Sequence, residues 1–230
     1  PYFTTPLRQV KTLRYGENPH QKAALYKGPE EDPFSVAAAE FLHGKELSYN
    51  NILDLESALA VVRDFSETCA AIIKHNNPCG VGLGKSALEA YEGALKCDPV
   101  SAFGGIVAVN ENIDETLAAK MGELFLECVI APAFSSGALE VFSKKKNLRL
   151  LMLKALAKPA AAAAGFEFKS IRGGMLLQNW DHGDRWSENW KLVGASAVPE
   201  DIKRSLLLAH RVVRHVRSNA IVIAQGMQTV

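Results

Sequence analysis

Between residues 51 and 153, short apolar runs alternate with stretches of helical period, and this alternation constrains the fold more than any other property of the chain. Leu55, Leu59, Val62 and Phe65 fall on one stripe and predict a helix over 51–66. A short apolar run, Cys69-Ala70-Ala71-Ile72-Ile73, predicts a strand over 69–74. Ser86 and Glu89 form a capping-box pattern for a helix to about residue 96, with Leu88, Tyr91 and Leu95 as its apolar face. A strand over 104–109, a helix from Asp114 to about 126, a strand over 128–131 stopped by Pro132, a helix opened by Ser135 or Ser136 and a strand over 148–153 complete the series. The triple lysine 144–146 suits the negative end of the dipole of that last helix. Strands alternating with helices predict an α/β fold, with a largely parallel or mixed sheet carrying helices on its faces.

Beyond 153 the pattern breaks. Ala160–164 beside Pro159 reads as a linker, and residues 165–178 resume strand character around Arg172-Gly173-Gly174. The polar stretch 179–198 holds all three tryptophans, Trp180, Trp186 and Trp190. Pro199 suits the first position of a helix whose stripe is Ile202, Leu206, Ala209, Val213 and Val216, and a strand follows over 219–224.

Hydrophobic residues make up 48% of the chain and charged residues 22%, as in soluble globular enzymes. A net charge of +1 provides no basic field for nucleic acid. No apolar run reaches the length of a membrane span, and no signal peptide opens the chain. The four cysteines, Cys69, Cys79, Cys97 and Cys128, include no C-x-x-C pair, which points to reduced thiols in a cytoplasmic protein rather than to a zinc site.

Chemistry concentrates at Lys74-His75-Asn76-Asn77-Pro78-Cys79-Gly80, where an ammonium and an imidazole stand side by side at a strand end. Successive strand residues point to opposite faces, so both can reach one cleft only where the backbone turns. Gly84-Lys85-Ser86 resembles the end of a phosphate-binding loop, but the glycine required five residues earlier is Cys79. Pro78-Cys79 matches half of a zinc deaminase signature, yet its second cysteine would fall at Gly82 and no H-x-E lies upstream. Arg14 and Tyr15 open a turn-rich polar cluster over 14–21. The pair Gly104-Gly105 permits close backbone approach before a strand, and Arg217-Ser218-Asn219 marks a helix-to-strand junction.

Residues 14–21, 43–51, 74–80, 98–107, 127–132, 172–178 and 217–222 together resemble, in order and spacing, the AICAR (aminoimidazole-carboxamide ribonucleotide) transformylase family. That family forms the C-terminal part of a bifunctional purine-biosynthesis protein with an inosine-monophosphate cyclohydrolase part before it. The resemblance implies three-layer cytidine-deaminase-like α/β units, one complete and a second partial. It places residues 1–154 in an N-terminal segment plus the first unit, and 155–230 in a linker and the partial second unit. It implies formyl transfer from 10-formyltetrahydrofolate to the 5-amino group of AICAR without a metal, in a cytoplasmic homodimer whose subunits share the site.

Carried over by position, the resemblance makes His75 the general base and Lys74 the group that stabilises the oxyanion. It makes Asn219 the residue that positions the carboxamide, and puts Arg14, Tyr15, Asn51 and Gly104 at the nucleotide. Glu127 falls where some members carry Asp. The family continues past residue 230 into much of its folate site, so the chain is expected to be a fragment holding the nucleotide half. Two other readings compete with a formyltransferase. One is a non-catalytic nucleotide-binding fragment of the same enzyme, and the other is a P-loop-like hydrolase built on residues 79–86.

Overall fold

A computed structural model describes residues 2–30, 32–157, 165–181, 189–194 and 196–230. Its centre is an eight-stranded mixed sheet. In chain order the strands are β1 (Arg8–Leu13), β2 (Ala23–Lys27), β3 (Glu40–His43), β4 (Thr68–Lys74), β5 (Asn77–Gly84), β6 (Gly105–Val109), β7 (Leu126–Ala131), β8 (Arg149–Met152), β9 (Phe166–Ile171), β10 (Gly174–Asn179), β11 (Ala224–Gln225) and β12 (Gln228–Thr229). The helices are α1 (Tyr49–Arg63), α2 (Ala87–Cys97), α3 (Glu115–Gly122), α4 (Ser136–Ser143) and α5 (Glu200–Val213). The large sheet runs β11-β12-β5-β4-β6-β7-β8-β3, with β6, β7 and β8 parallel and β3, β4 and β5 antiparallel to their neighbours.

Period-two alternation divides the buried strand residues between two cores, which makes the arrangement three-layered. Cys69, Ala71, Ile73, Ile106, Ala108, Cys128 and Ile130 pack with α1 and α5. Ala70, Ile72, Val107, Val109, Val129 and Ala131 pack with α2, α3 and α4. Leu55, Leu59, Val62 and Phe65 of the predicted stripe all lie in the first core. Asp114 caps α3 through its side chain as predicted, and of Ser135 and Ser136 it is Ser135 that caps α4. Ser86 caps α2 by accepting from Glu89 N–H, but the capping box is not closed, because the Glu89 carboxylate accepts from Lys85 N–H instead. The helix from Asp114 stops at Gly122 rather than 126, because the next strand already starts at Leu126.

The largest departure lies at residues 77–84, whose end resembled a phosphate-binding loop in sequence and where an eight-residue strand is found. Its glycines serve packing. A Cβ on Gly80 would stand 2.0 Å from the Ala94 carbonyl oxygen, and one on Gly82 would stand 2.3 Å from that of Ala90. Helix α2 therefore lies directly on the strand backbone and buries the small face Ala87, Ala90, Tyr91 and Ala94, while Leu88 and Leu95 only flank the core. This geometry removes the phosphate-loop reading. Val81 N–H donates to Thr229 Oγ1 and Leu83 N–H to the Met227 carbonyl, while at the α2 N-terminus the Glu89 carboxylate accepts from Lys85 N–H.

Other expectations need correction. Strand β3 at the sheet edge was not foreseen. Pro199 is the N-cap of α5 rather than its first residue. Helix α5 buries Ser205, Leu208 and Val212, while Ile202 and Leu206 of the predicted stripe are each 47% exposed. The strand expected over 219–224 is irregular backbone that reaches β11 only at Ala224. Within 155–230, β9 and β10 form a separate hairpin, whereas α5 joins the first core and β12 extends the large sheet beside β5. The alanine run 160–164 and Trp186 lie outside the described residues.

Candidate active site

Strands β4 and β5 form a hairpin in which Lys74 pairs with Asn77, leaving His75 and Asn76 as the two-residue turn. Their φ values are +54° and +60°, the left-handed pair that a type I′ turn requires. Few non-glycine residues adopt this region, and Asn and His are among those enriched there. The turn exposes His75 and leaves Lys74 half-buried beside it. Lys74 Nζ donates to the Phe103 carbonyl at 2.8 Å, which engages one of the three ammonium donors.

That carbonyl belongs to the turn that leads into β6. Gly104 follows with φ +75°, and its N–H donates to the Phe125 carbonyl at 2.7 Å. A Cβ there would meet only the Phe125 ring at 3.7 Å, so the backbone angle rather than crowding favours glycine. The rings of Phe103 and Phe125 meet with centroids 5.3 Å apart. Asp98 opens the same turn by accepting from Ser101 N–H at 2.8 Å. Hydrogen bonds from Ser101 hold the Asp98 carboxyl below its ordinary value. A depressed folded-state pKa stabilises the fold above the ordinary Asp range, and that contribution disappears as pH falls through the lowered value. Asp98→Asn should therefore unfold at a lower temperature than the parent at pH 7. The gap should close in acid, and thermal melts across pH measure it.

A second cluster stands at the start of α1. Ser48 and Asn51 form a reciprocal capping box, with both hydrogen bonds at 3.1 Å. Asn51 is 3% exposed, and its Nδ2 donates to Glu127 Oε2 at 2.7 Å. The same Glu127 oxygen stands 3.7 Å from an Arg149 guanidinium nitrogen, and Arg149 Nε donates to the Glu46 carbonyl. Both polar atoms of the Asn51 side chain are thus engaged by protein groups, and this residue places Glu127.

The sheet register brings most candidates to one end. Ile73 pairs with Ile106, Gly105 with Leu126 and Cys128 with Arg149, so Lys74, Gly104 and Glu127 stand at the same end of adjacent strands. His75 and Asn51 join them through the β4–β5 turn and the α1 cap. Arg14 and Tyr15 sit in the loop between β1 and β2, with the guanidinium 5.6 Å from the Tyr15 ring. Glu17 in that loop accepts from Asn50 Nδ2 at 3.4 Å, which brings the loop to the α1 N-terminus. Arg14 is exposed and has no carboxylate partner among the described residues. Asn219 is also exposed, its Oδ1 accepts from Ser218 Oγ at 2.8 Å, and among the described residues no hydrogen bond joins it to the Lys74–His75 turn.

Sequence reasoning missed Asp54, Ser57, Phe103, Phe125 and Arg149, which hold this end of the sheet together. Only Asp54 and Ser57 carried a signal, as polar residues one turn apart on a helix otherwise read for its apolar stripe. Among the described residues, no group of three or more His, Cys, Asp or Glu could hold a metal ion, and no helix is long and apolar enough to cross a membrane. Burial pushes the Cys79 thiol up to about 11 and raises Cys69 and Cys128 as well. All three should resist alkylation at neutral pH.

The family model described as AICARFT/IMPCHase bienzyme matches residues 1–230. A bifunctional purine biosynthesis protein PurH of Anaeromyxobacter dehalogenans (strain 2CP-C) is 50% identical over 241 residues, covering 100% of this chain and 46% of that protein. PurH of Lacticaseibacillus casei (strain BL23) is 47% identical over 228 residues, covering 99% of this chain and 45% of that protein. PurH of Bacillus cereus (strain B4264) is 48% identical over 228 residues, with 99% and 44% covered. The chain thus spans somewhat under half the length of these relatives.

Proposed function

From membership of the AICARFT/IMPCHase bienzyme family, to which this chain belongs, we propose that the protein carrying it acts in purine biosynthesis by moving a formyl group onto the 5-amino group of AICAR. The observation that supports this best is the Lys74–His75 pair at a tight turn, on the same sheet end as Gly104 and Glu127. The co-substrate 10-formyltetrahydrofolate supplies the formyl carbon; as the tetrahedral adduct collapses, its bond from that carbon to N10 breaks, and tetrahydrofolate leaves with N10 taking up the proton that His75 removed from the amine. His75, presented to solvent by the left-handed turn, takes the proton that the amine loses as its nitrogen bonds to that carbon. Lys74, with two ammonium donors unengaged by Phe103, stabilises the negative charge that develops on the formyl oxygen. Gly104 lets the backbone approach the nucleotide, Glu127 accepts from its polar groups, and Tyr15 packs on it. Arg14 holds the phosphate. Asn219 orients the carboxamide, and Asn51 contributes through Glu127.

The same proposal extends to the surroundings. The layers described here form a cytidine-deaminase-like unit, and residues 155–230, although their α5 and β12 add to it, lead into a second. The working protein is a cytoplasmic homodimer whose subunits share the site, and much of the folate contact comes from residues outside this chain. The chemistry requires no metal, nucleic acid or membrane. By itself, the 230-residue chain would then bind nucleotide without turnover. Comparing AICAR formylation by this chain and by a full-length protein tests that division of labour.

Arg14→Ala should weaken AICAR binding by about 1.5–3 kcal/mol, the range for a hydrogen bond to a charged group. Isothermal calorimetry measures it, and unchanged affinity would take Arg14 out of the site. ATP binding that requires magnesium, with no AICAR binding, would overturn the whole proposal.

A further inference from the structure

Helix α1 grips the His75–Asn76 turn from outside the reacting groups. Asp54 Oδ1 accepts the Asn76 backbone N–H at 2.7 Å. Assigned from its hydrogen-bonding surroundings, the Asn76 carboxamide places its nitrogen toward the same helix, 3.3 Å from the Leu53 carbonyl, 3.3 Å from Asp54 Oδ1 and 3.1 Å from Ser57 Oγ. Ser57 Oγ in turn donates to the Leu53 carbonyl at 3.1 Å, so its lone pairs remain available to Asn76. Asp54, Ser57 and Asn76 are all half-buried, so water competes weakly for these bonds.

His75 and Asn76 are the only non-glycine residues at positive φ among those described. Such backbone is held when its surroundings over-determine it, and here the bonds come from one face of one helix. That helix also begins at the capping box that holds Glu127, so the two parts of the proposed site are fixed to a single rigid element. Among the described residues, the His75 side chain makes no hydrogen bond, and its position is set through its backbone neighbour. We propose that Asp54, assisted by Ser57, is the positioning residue that aims His75 by fixing the left-handed turn through Asn76.

This inference rests on the role of His75 proposed above, and a comparison of four variants in the full-length protein separates the two. Asp54→Ala should lower kcat for formyl transfer roughly 10–100-fold, because a misplaced reacting group loses about that much. The KM for AICAR should stay within about twofold, since Asp54 does not touch the nucleotide. Asp54→Asn keeps an acceptor oxygen for Asn76 N–H and should restore most of the rate, and Ser57→Ala should show a smaller loss of the same kind. Hydrogen exchange at the Asn76 amide should speed up in Asp54→Ala and not in Asp54→Asn, a readout independent of activity. If Asp54→Ala keeps the parent kcat while His75→Ala loses it, the positioning role is wrong and the role of His75 stands. If His75→Ala keeps the parent rate, the proposed function of His75 fails first. Equal losses in Asp54→Ala and Asp54→Asn, with Asn76 exchange unchanged in both, would assign Asp54 a role through its charge and overturn the positioning role.

Discussion

His75→Ala in the full-length protein should lower the chemical rate of formyl transfer about 10²–10⁴-fold, the usual loss when a general base is removed. Lys74→Ala should lose about 10²–10³-fold if its ammonium acts on the developing oxyanion. The two losses should not multiply. The side chains follow one another at the end of β4, and groups that act as a unit give strongly non-additive effects. Single-turnover kinetics on the two single variants and the double variant would show this directly. A double variant with the full product of the single losses would mean that the two groups act independently. Lys74 also anchors the turn before β6 through the Phe103 carbonyl, so a Lys74→Ala melt is needed to separate chemistry from structure. Lys74→Arg is the useful control, because it keeps a cation but changes its shape and donor geometry.

The other large effect concerns stability. Gly80→Ala should destabilise the fold by about 3 kcal/mol or more, at or above the upper end of the usual overpacking cost. The added carbon would lie 2.0 Å from a backbone oxygen of α2 and 2.8 Å from Cys97 Cβ, so rotating a side chain cannot relieve the clash. Helix α2 would have to lift off the sheet, uncovering Ala87, Ala90, Tyr91 and Ala94. At about 2–4 °C per kcal/mol for a chain of this size, the melting temperature should fall by roughly 6–12 °C or more. Gly28→Ala is the matched control. Nothing lies within 4 Å of its Cβ position, and its change should stay within about 0.5 kcal/mol. A Gly80→Ala protein that melts like its parent would show that residues 77–84 are not packed under α2.

Local signals located much of the candidate site. The apolar run before Lys74 marks a strand end, and Asn76-Asn77-Pro78 marks a turn, so the exposure of Lys74 and His75 together could be read from neighbouring residues. What holds that turn could not. Asp54 and Ser57 precede Asn76 by 22 and 19 residues, and they bond to it only because α1 lies across the end of β4. Asn51 shows the converse. Its place three residues after Ser48 is a capping pattern visible in sequence, yet its bond to Glu127, 76 residues away, depends on how α1 sits on the sheet.

By itself, the sequence determined the elements whose cause is local. Caps at Ser86, Asp114 and Ser135 satisfy amides within one turn, and the β-branched runs of β6 and β7 suit a strand buried on both faces. It also determined the alternation of strands and helices from β6 to β8, and with it the α/β class. Tertiary structure decided the cases in which local preference and packing disagree. Residues 77–84 carry the glycine and proline of a turn, but β4 on one side, β12 on the other and the close approach of α2 make them a strand. On α5, Leu206 looks more suited to a core than Ser205, yet Ser205 faces inward because its hydroxyl donates to the Asp201 and Gly226 carbonyls. Capping and periodicity act over a few residues and survive in any context. The face that a helix buries, and the backbone that can lie against it, depend on shapes supplied by residues far away in the chain.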